Sequence, residues 1–485
     1  MKLFRTTLLT ALSLFLASAL PAEAASTVPT WQPAKTIALP SNGTSVPSGY
    51  LPALSCASSG NCVAGGSYSD ASGDVLGLVV PESNGVWKTG IELTAPSGSA
   101  SNPNMSVFSL SCPTATSCVA VGSYQDTAGN TDSFVASESN GSWPIATKVA
   151  LPGNAAPSGN SSSTLHFIAC TSAGNCTALG TYLDGATPIE HSLGYVMSEV
   201  GGTWKTAQQI ALPANANVNP FVSASQASCS SVGNCALVGS YVDNNGNTHG
   251  LLINEVGGVF APGTAVTLPG NASAYAGSSL SEVTCVSPGN CTALGTYNTN
   301  TGAIQGLTVT EIGGVWGRAI QMQMPNGAAT NPHVLFYGFG GISCPSVGNC
   351  AAGGQYRDTS NHYQGFLLNE VNGKWKPSTE LSLPSGSQFA GKNGGVVAVA
   401  CVANGTCSAG AAYVDSAGNY QAGVVSEVGN VWQTATKIAL PSGATTVGVD
   451  GGVYGLTCAS DGTCTATGSY ASNATQYQGF STSAK

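Results

Sequence analysis

The sequence predicts an all-β chain closed into one eight-bladed ring, a β-propeller with four antiparallel strands per blade, on three observations. Its 16 cysteines fall into eight pairs, each pair six positions apart. The pairs recur every 56 to 59 residues, a period that belongs to repeat architectures. The two ends of the chain also complete each other: the segment from Trp31 is a lone fourth strand, WQPAKTIAL, and the last, QGFSTS from Gln478, is a third strand without a fourth. Pairing them closes the last blade with the N-terminal strand and removes an open edge. A parallel β-helix is the alternative architecture, but its coils are much shorter than this period.

Each unit reads in the same order. A first strand such as VFSLSC ends in a cysteine, five residues often holding Ser-x-Gly-Asn follow, and a second strand such as CVAVGSY begins at the partner cysteine. This spacing suits a hairpin connection. The pairs are Cys56/Cys62, Cys112/Cys118, Cys170/Cys176, Cys229/Cys235, Cys285/Cys291, Cys344/Cys350, Cys401/Cys407 and Cys458/Cys464. In an oxidising compartment an even count favours disulfides over metal thiolates. Each such loop, once closed, stabilises by about 2 kcal/mol and pins the hairpin register.

Six residues after each second cysteine stands a tyrosine: Tyr68, Tyr124, Tyr182, Tyr241, Tyr297, Tyr356, Tyr413 and Tyr470. Two residues on, six units carry an Asp leading into a Gly or Asn turn, as in DTAGN, where a short acceptor side chain closes a hairpin. The third strand, as in GFLLNE, carries Glu82, Glu138, Glu199, Glu255, Glu311, Glu370 or Glu427, and an aromatic residue five positions later opens the fourth. Pro33, Pro144, Pro262 and Pro377 follow that aromatic, which marks an edge strand.

The first residues read as an export signal: Lys2 and Arg5, an apolar run from Thr6 to Leu20, and Ala22-Glu23-Ala24 as a cleavage site. The expected organisation is residues 1–24 as signal peptide and 25–485 as the propeller, outside the cytoplasm, secreted or periplasmic. Loss of Lys2, Arg5 and Glu23 leaves 11 basic and 21 acidic residues, a net charge of −10. Nucleic acid is excluded as a partner, because phosphate affinity needs clustered Lys and Arg, and of the arginines only Arg318 and Arg357 remain. No stretch after the signal approaches the roughly 20 apolar residues of a membrane-spanning helix.

At the third-to-fourth turn, SESNGSW, SEVGGTW and TEIGGVW resemble the Asp-box (BNR) turn of secreted propellers, with Glu directly after the Ser and no Asp at that family's acidic position. The larger unit, Ser-Cys then Cys-x-Ala-x-Gly-x-Tyr, is similar to repeats in exported bacterial proteins. The resemblance implies a fold, and a structural role for these Glu and Trp residues. Sialidases resemble one another in an arginine triad, which two arginines cannot supply.

The acids that break the repeat are Asp74, Glu92, Asp132, Glu190, Glu282, Glu380, Asp450 and Asp461. A polar group of His166, Asp184, Glu190, His191 and His249 is one candidate site. No H-x-H or H-E-x-x-H spacing accompanies it, and one carboxylate per Asp turn falls short of the roughly 6 to 8 oxygens calcium takes. No metal or cofactor is expected. The variable parts are the loops from strand four to the next strand one, on the same face as the second-to-third hairpins. Each brings an aromatic residue: Tyr50, Phe108, Phe167, Phe221, Tyr275, Tyr337, Phe389 and Tyr454. Flat rings among neutral hydrogen-bonding groups suit sugar faces; the same rings could instead cap the first-strand layer of the core. Three functional classes stay open: a binding module for an extracellular glycan or surface polymer, a structural or protein-interaction propeller, and a glycoside hydrolase or lyase other than a sialidase.

Overall fold

The computed structural model describes residues 28–44, 50–157, 162–187, 189–275, 277–337, 340–389, 395–444, 452–473 and 476–484. The expected signal peptide lies outside them. Eight antiparallel sheets follow one another along the chain, each carrying its strands in the order first to fourth. Blade 3 shows the pattern: Ser163–Ser172, Asn175–Leu183 and Ser192–Val200, then a short fourth strand. The first strands of successive blades pack side by side, and that of blade 8, Gly452–Cys458, packs against Tyr50–Ser58 of blade 1, which completes the eight-bladed ring. Lys35–Thr36 pairs antiparallel with Gln476–Ala484, so the N-terminal segment supplies the last blade's outer strand as expected.

All eight cysteine pairs form disulfides between first and second strands, and no cysteine is free. Their placement agrees with the expected hairpin, the second cysteine of each pair standing on the second strand. Cys62, Cys118, Cys176, Cys235, Cys291, Cys350, Cys407 and Cys464 are also buried core residues, 1 to 6% exposed. Cys112 is buried as well, and the other first cysteines are half-buried. The physical reason is that the ladder continues past the disulfide: Cys170 lies opposite Cys176, and Ser172 still pairs with Asn175 beyond it. The second strand is covered on both faces by neighbouring blades, so its cysteine packs as a small apolar side chain in addition to stapling the hairpin.

A serine before the first cysteine latches neighbouring blades: Ser55, Ser111, Ser228 and Ser343 accept the N–H of Cys112, Cys170, Cys285 and Cys401 at 2.9 to 3.0 Å. The second-strand tyrosines are buried between blades. Several point their hydroxyls at the loop preceding their own blade, Tyr68, Tyr182, Tyr241 and Tyr297 donating to Asn42, Asn154, Asn215 and Asn271 at 2.9 to 3.0 Å. In these units that bond accounts for a tyrosine rather than a phenylalanine.

The fourth strand departs from the continuous edge read from WQPAKTIAL. Among the described residues it breaks into two-residue pieces, such as Thr203–Trp204 and Gln208–Gln209. Between the pieces the chain turns toward the preceding blade. Ala34, Gly90, Ala146, Ala207, Gly263, Ala319, Ser378 and Ala435 each donate their N–H to the preceding blade's fourth segment, on Ala439, Ala38, Thr94, Ala150, Ala211, Thr267, Gln323 and Ser382, at 2.7 to 3.0 Å. This belt of eight bonds ties the outer edges together, which is how the ring avoids presenting unpaired strands. The residue concerned stands three after the fourth-strand aromatic and is always Ala, Gly or Ser. Among the described residues no helix is long and apolar enough to cross a membrane.

Candidate functional site

The loops from strand four to the next strand one lie beside the second-to-third hairpins, as the bridges Ser99 to Asp126, Ala155 to Asp184 and Ala216 to Asp243 record. Together they form the mouth of the central channel. The hairpin aspartates close their turns: Asp126 Oδ1 accepts the N–H of Ala128 and of Asn130, both at 2.9 Å, and Asp243 does the same for Asn245 and Asn247.

The channel wall is uneven because first strands carry a bulge, in six blades at the same place: the register slips four residues before the first cysteine, leaving Phe108, His166, Ser225, Ser281, Val397 and Tyr454 out of the ladder. A bulge re-aims side chains and disturbs the strand's alternation. Phe108, His166 and Phe167 line a cavity of about 500 Å³ with residues of blades 1, 4, 6 and 8, so they are wall residues of the channel, deeper than the loop positions read from the sequence. His166 Nε2 is 3.0 Å from Thr181 Oγ1, and burial holds its ring below the ordinary imidazole range.

The polar group expected around His166 is not one group. His191 Nδ1 pairs with Asp184 Oδ2 at 2.9 Å across its own hairpin, and His249 Nε2 pairs with Asp243 at 3.0 Å in the next blade. The carbonyl of Glu190 accepts from Asn219, 3.4 Å away. The acids that break the repeat are also dispersed. Glu92 accepts from Tyr68 and Asn42, both at 2.8 Å, Glu380 accepts from Tyr356 at 2.6 Å, and Asp132 is paired with Lys148. Among the described residues no three of His, Cys, Asp and Glu sit together as a metal site.

The aromatic residues divide. Tyr275 is 82% and Phe221 61% exposed, too far out to be core. Phe221 adopts a positive φ of 42°. The side chains of Tyr50 and Phe389 lie outside the described residues. Tyr337, half-buried, has the hydroxyls of Tyr420, Tyr363 and Tyr454 in its field; burial first, then these neighbours, lift its own hydroxyl above the ordinary phenol range. Arg357 lies over the Tyr363 ring, 4.8 Å from its centroid, and donates Nη2 to Tyr363 Oη at 2.6 Å and Nη1 to Asn361 at 3.2 Å. Its Nε is buried without a hydrogen-bond partner, and among the described residues no ion pair includes it.

Tyr363, Tyr420 and Arg357 were not among the sequence candidates. Tyr363 and Tyr420 open third strands, a position that reads Val75, Thr131, Ser192, Thr248 and Ile304 in the first five units and Tyr363, Tyr420 and Tyr477 in the last three. That change of residue type along the repeat was the available signal. The mouth therefore has an aromatic sector over blades 6 to 8 and a sparser one elsewhere.

No family model matches the chain, and no curated protein matches it. Among solved structures it is similar to an ulvan lyase of a new family of polysaccharide lyases, with a TM-score of 0.42 at 9% identity over 74% of this chain and 89% of that one. It is similar to a Trypanosoma rangeli sialidase, with a TM-score of 0.33 at 12% identity over 71% of this chain and 56% of that one. The fucose-specific lectin from Aleuria aurantia is similar with a TM-score of 0.31 at 13% identity, over 70% and 96% of the two chains.

Proposed function

We propose that the chain is exported after cleavage behind Ala24 and serves as a binding module for an extracellular glycan, held over the mouth at blades 6 to 8. The observation that carries this reading is the convergence of Tyr337, Tyr363, Tyr420 and Tyr454, drawn from three blades, beside an arginine without a carboxylate partner among the described residues. Tyrosine offers a flat apolar face and a polar tip at low entropic cost, which fits the alternating C–H and hydroxyl surfaces of a sugar ring. Arg357 adds donors suited to a carboxylate or sulfate on the chain. Eight disulfides fit an oxidising environment outside the cytoplasm.

The test is a retention assay of the oxidised protein, residues 25–485, on immobilised neutral and acidic polysaccharides. Tyr420→Ala is expected to weaken retention about tenfold, the loss of one good aromatic contact, with little change in melting temperature. Arg357→Gln is expected to weaken acidic polymers more than neutral ones. Retention of no polysaccharide, or equal retention by Tyr420→Ala and the parent protein, would remove this reading in favour of a structural or protein-interaction role.

A further inference from the structure

The opposite face, where the cysteine turns lie, is nearly the same in every unit, with one exception. Between blades 3 and 4 a cavity of about 440 Å³ opens beside Glu199 and Glu255. The equivalent cleft between blades 4 and 5 measures about 230 Å³. The difference follows from two residues facing each other. In the 4–5 cleft Asn254 donates to Glu311 and accepts from the Trp316 indole at 2.9 Å, and Asn369, Glu427 and Trp432 repeat that bridge between blades 6 and 7. Between blades 3 and 4 the Asn position is Ser198 and the aromatic position is Phe260, where the other seven units have Trp. Both sides are smaller, and the space stays open.

Its polar lining is incomplete. Glu199 is 6% exposed, and its Oε2 is buried without a hydrogen-bond partner, as is the same oxygen of Glu82, Glu138, Glu370 and Glu427 in other blades; what this cleft adds is Thr171 Oγ1, on the same wall, likewise buried and unpartnered. Glu255, 2% exposed, is satisfied by Thr177 Oγ1 at 2.7 Å and Ser198 Oγ at 3.1 Å. Those hydroxyls spend their hydrogens on Glu255, so what they present otherwise is lone pairs. Buried polar atoms left unpaired are costly, and a solvent-open cavity lined with acceptors invites a ligand rich in donors. Phe260 supplies an apolar wall, and the volume falls in the range of small-ligand sites.

We propose that this interblade cleft is a second ligand site, taking a single pyranose ring or a polyol of that size, whose hydroxyls donate to Glu199 Oε2 and Thr171 Oγ1 while its carbon face lies on Phe260. A bare ammonium group would meet the same acceptors but would leave Phe260 and most of the volume uncovered. The site is independent of the mouth and stands or falls separately from it.

Saturation-transfer NMR with a panel of methyl pyranosides, and with n-butylammonium as the cationic control, tests it. Phe260→Trp restores the residue of the other units and fills the cleft, so it is expected to keep the melting temperature and to weaken pyranoside binding at least about tenfold. Thr171→Val removes one orphan group at a half-buried position; it is expected to weaken binding in the same direction and gives the answer should Phe260→Trp fail to fold. Tyr420→Ala, at the mouth, is expected to leave the Phe260-dependent part of the signal unchanged. Absence of pyranoside binding, binding indifferent to both cleft variants, or binding of the alkylammonium in place of the pyranosides each overturns the proposal.

Discussion

The cysteine-turn face and the mouth face are made from the same turn residues, Gly, Asn, Ser and Asp, yet the first barely changes from unit to unit and the second does. On the cysteine side two turns of one blade are clasped backbone to backbone. Gly85, Gly202, Gly258 and Gly314 donate to the carbonyls of Gly60, Gly174, Gly233 and Gly289 at 2.9 Å. The contact is so close that a Cβ on Gly60, Gly174, Gly233 or Gly289 would meet the facing amide nitrogen at 2.6 Å. The mouth hairpins also need positive φ, at Gly73, Gly129, Gly246, Gly302 and Gly418, but nothing lies within 4 Å of where a Cβ would be. One face is constrained by conformation and by contact, the other by conformation alone. Free space is what allows loops to differ and carry specificity.

Alanine at one glycine from each face measures that difference within a single blade. Gly233→Ala places an L-residue at a φ of 68° and drives the paired turns apart, breaking the Gly258 bond, so a loss of about 3 to 4 kcal/mol is expected. Gly246→Ala, at a φ of 80° in open space, is expected to lose only about 1 to 2 kcal/mol. Denaturant midpoints of the two variants give the comparison, and equal losses would mean that contact adds nothing to the constraint.

Acid and base pull on the two faces in opposite directions. Burial raises the carboxyls of Glu82, Glu138, Glu199, Glu255, Glu311, Glu370 and Glu427, all beside the cysteine turns, above their ordinary 4.5, Glu427 to about 7. The folded chain therefore holds protons that the unfolded chain has already released, and stability falls as pH rises from 4.5 through these values. At the mouth, side-chain bonds from Asn130 and His249 lead in lowering Asp126 and Asp243. For Asp184, Asp358 and Asp415, burial pulls upward and the donors they accept from overcome it. Their contribution is present above 3.8 and is lost as pH falls through the lowered values. The melting temperature is expected to peak near pH about 4 to 5 and to decline by pH about 7. Glu427→Gln should flatten the upper limb and Asp126→Asn the lower. A melting temperature that climbs from pH about 5 to about 7 would reverse the assignment of signs.

The repeat made most of the fold legible. Cysteine spacing and the invariant tyrosines led directly to disulfides and blade number, because each is enforced once per unit and is seen eight times, and the split last blade led to closure because the two chain ends lack complementary strands. What stayed hidden falls outside that redundancy. The outer belt depends on a small residue three after the aromatic, and Ala, Gly and Ser carry no chemical flag. The bulges at Phe108, His166 and Tyr454 add one residue inside an apolar run without disturbing its composition, so these side chains read as loop residues, and Phe108 and His166 turned out to line the channel. At the mouth, Tyr337 and Tyr420 are far apart in sequence, and only the packing of blade 6 against blade 7 brings them together. Phe260 was read as one more scaffold aromatic, although Phe in place of the Trp of the other units leaves the cleft beside it open.

The two sectors of the mouth can be separated by a residue that should matter little. Tyr275, in the loop entering blade 5, is 82% exposed and its backbone N–H bonds Ser273 Oγ at 3.1 Å, so the turn survives without the ring. Tyr275→Ala is expected to change folding stability by less than about 0.5 kcal/mol, the usual effect of an exposed substitution. A ring so open to water stays solvated on one side even with a ligand present, and contacts at a wet rim are worth under about 1 kcal/mol. Retention on the polymer that Tyr420→Ala loses is therefore expected to drop less than about fivefold with Tyr275→Ala. A larger loss from Tyr275→Ala than from Tyr420→Ala would move the binding surface off blades 6 to 8 and onto the rim at blade 5. A loss of stability would show the exposed ring to be packed in solution.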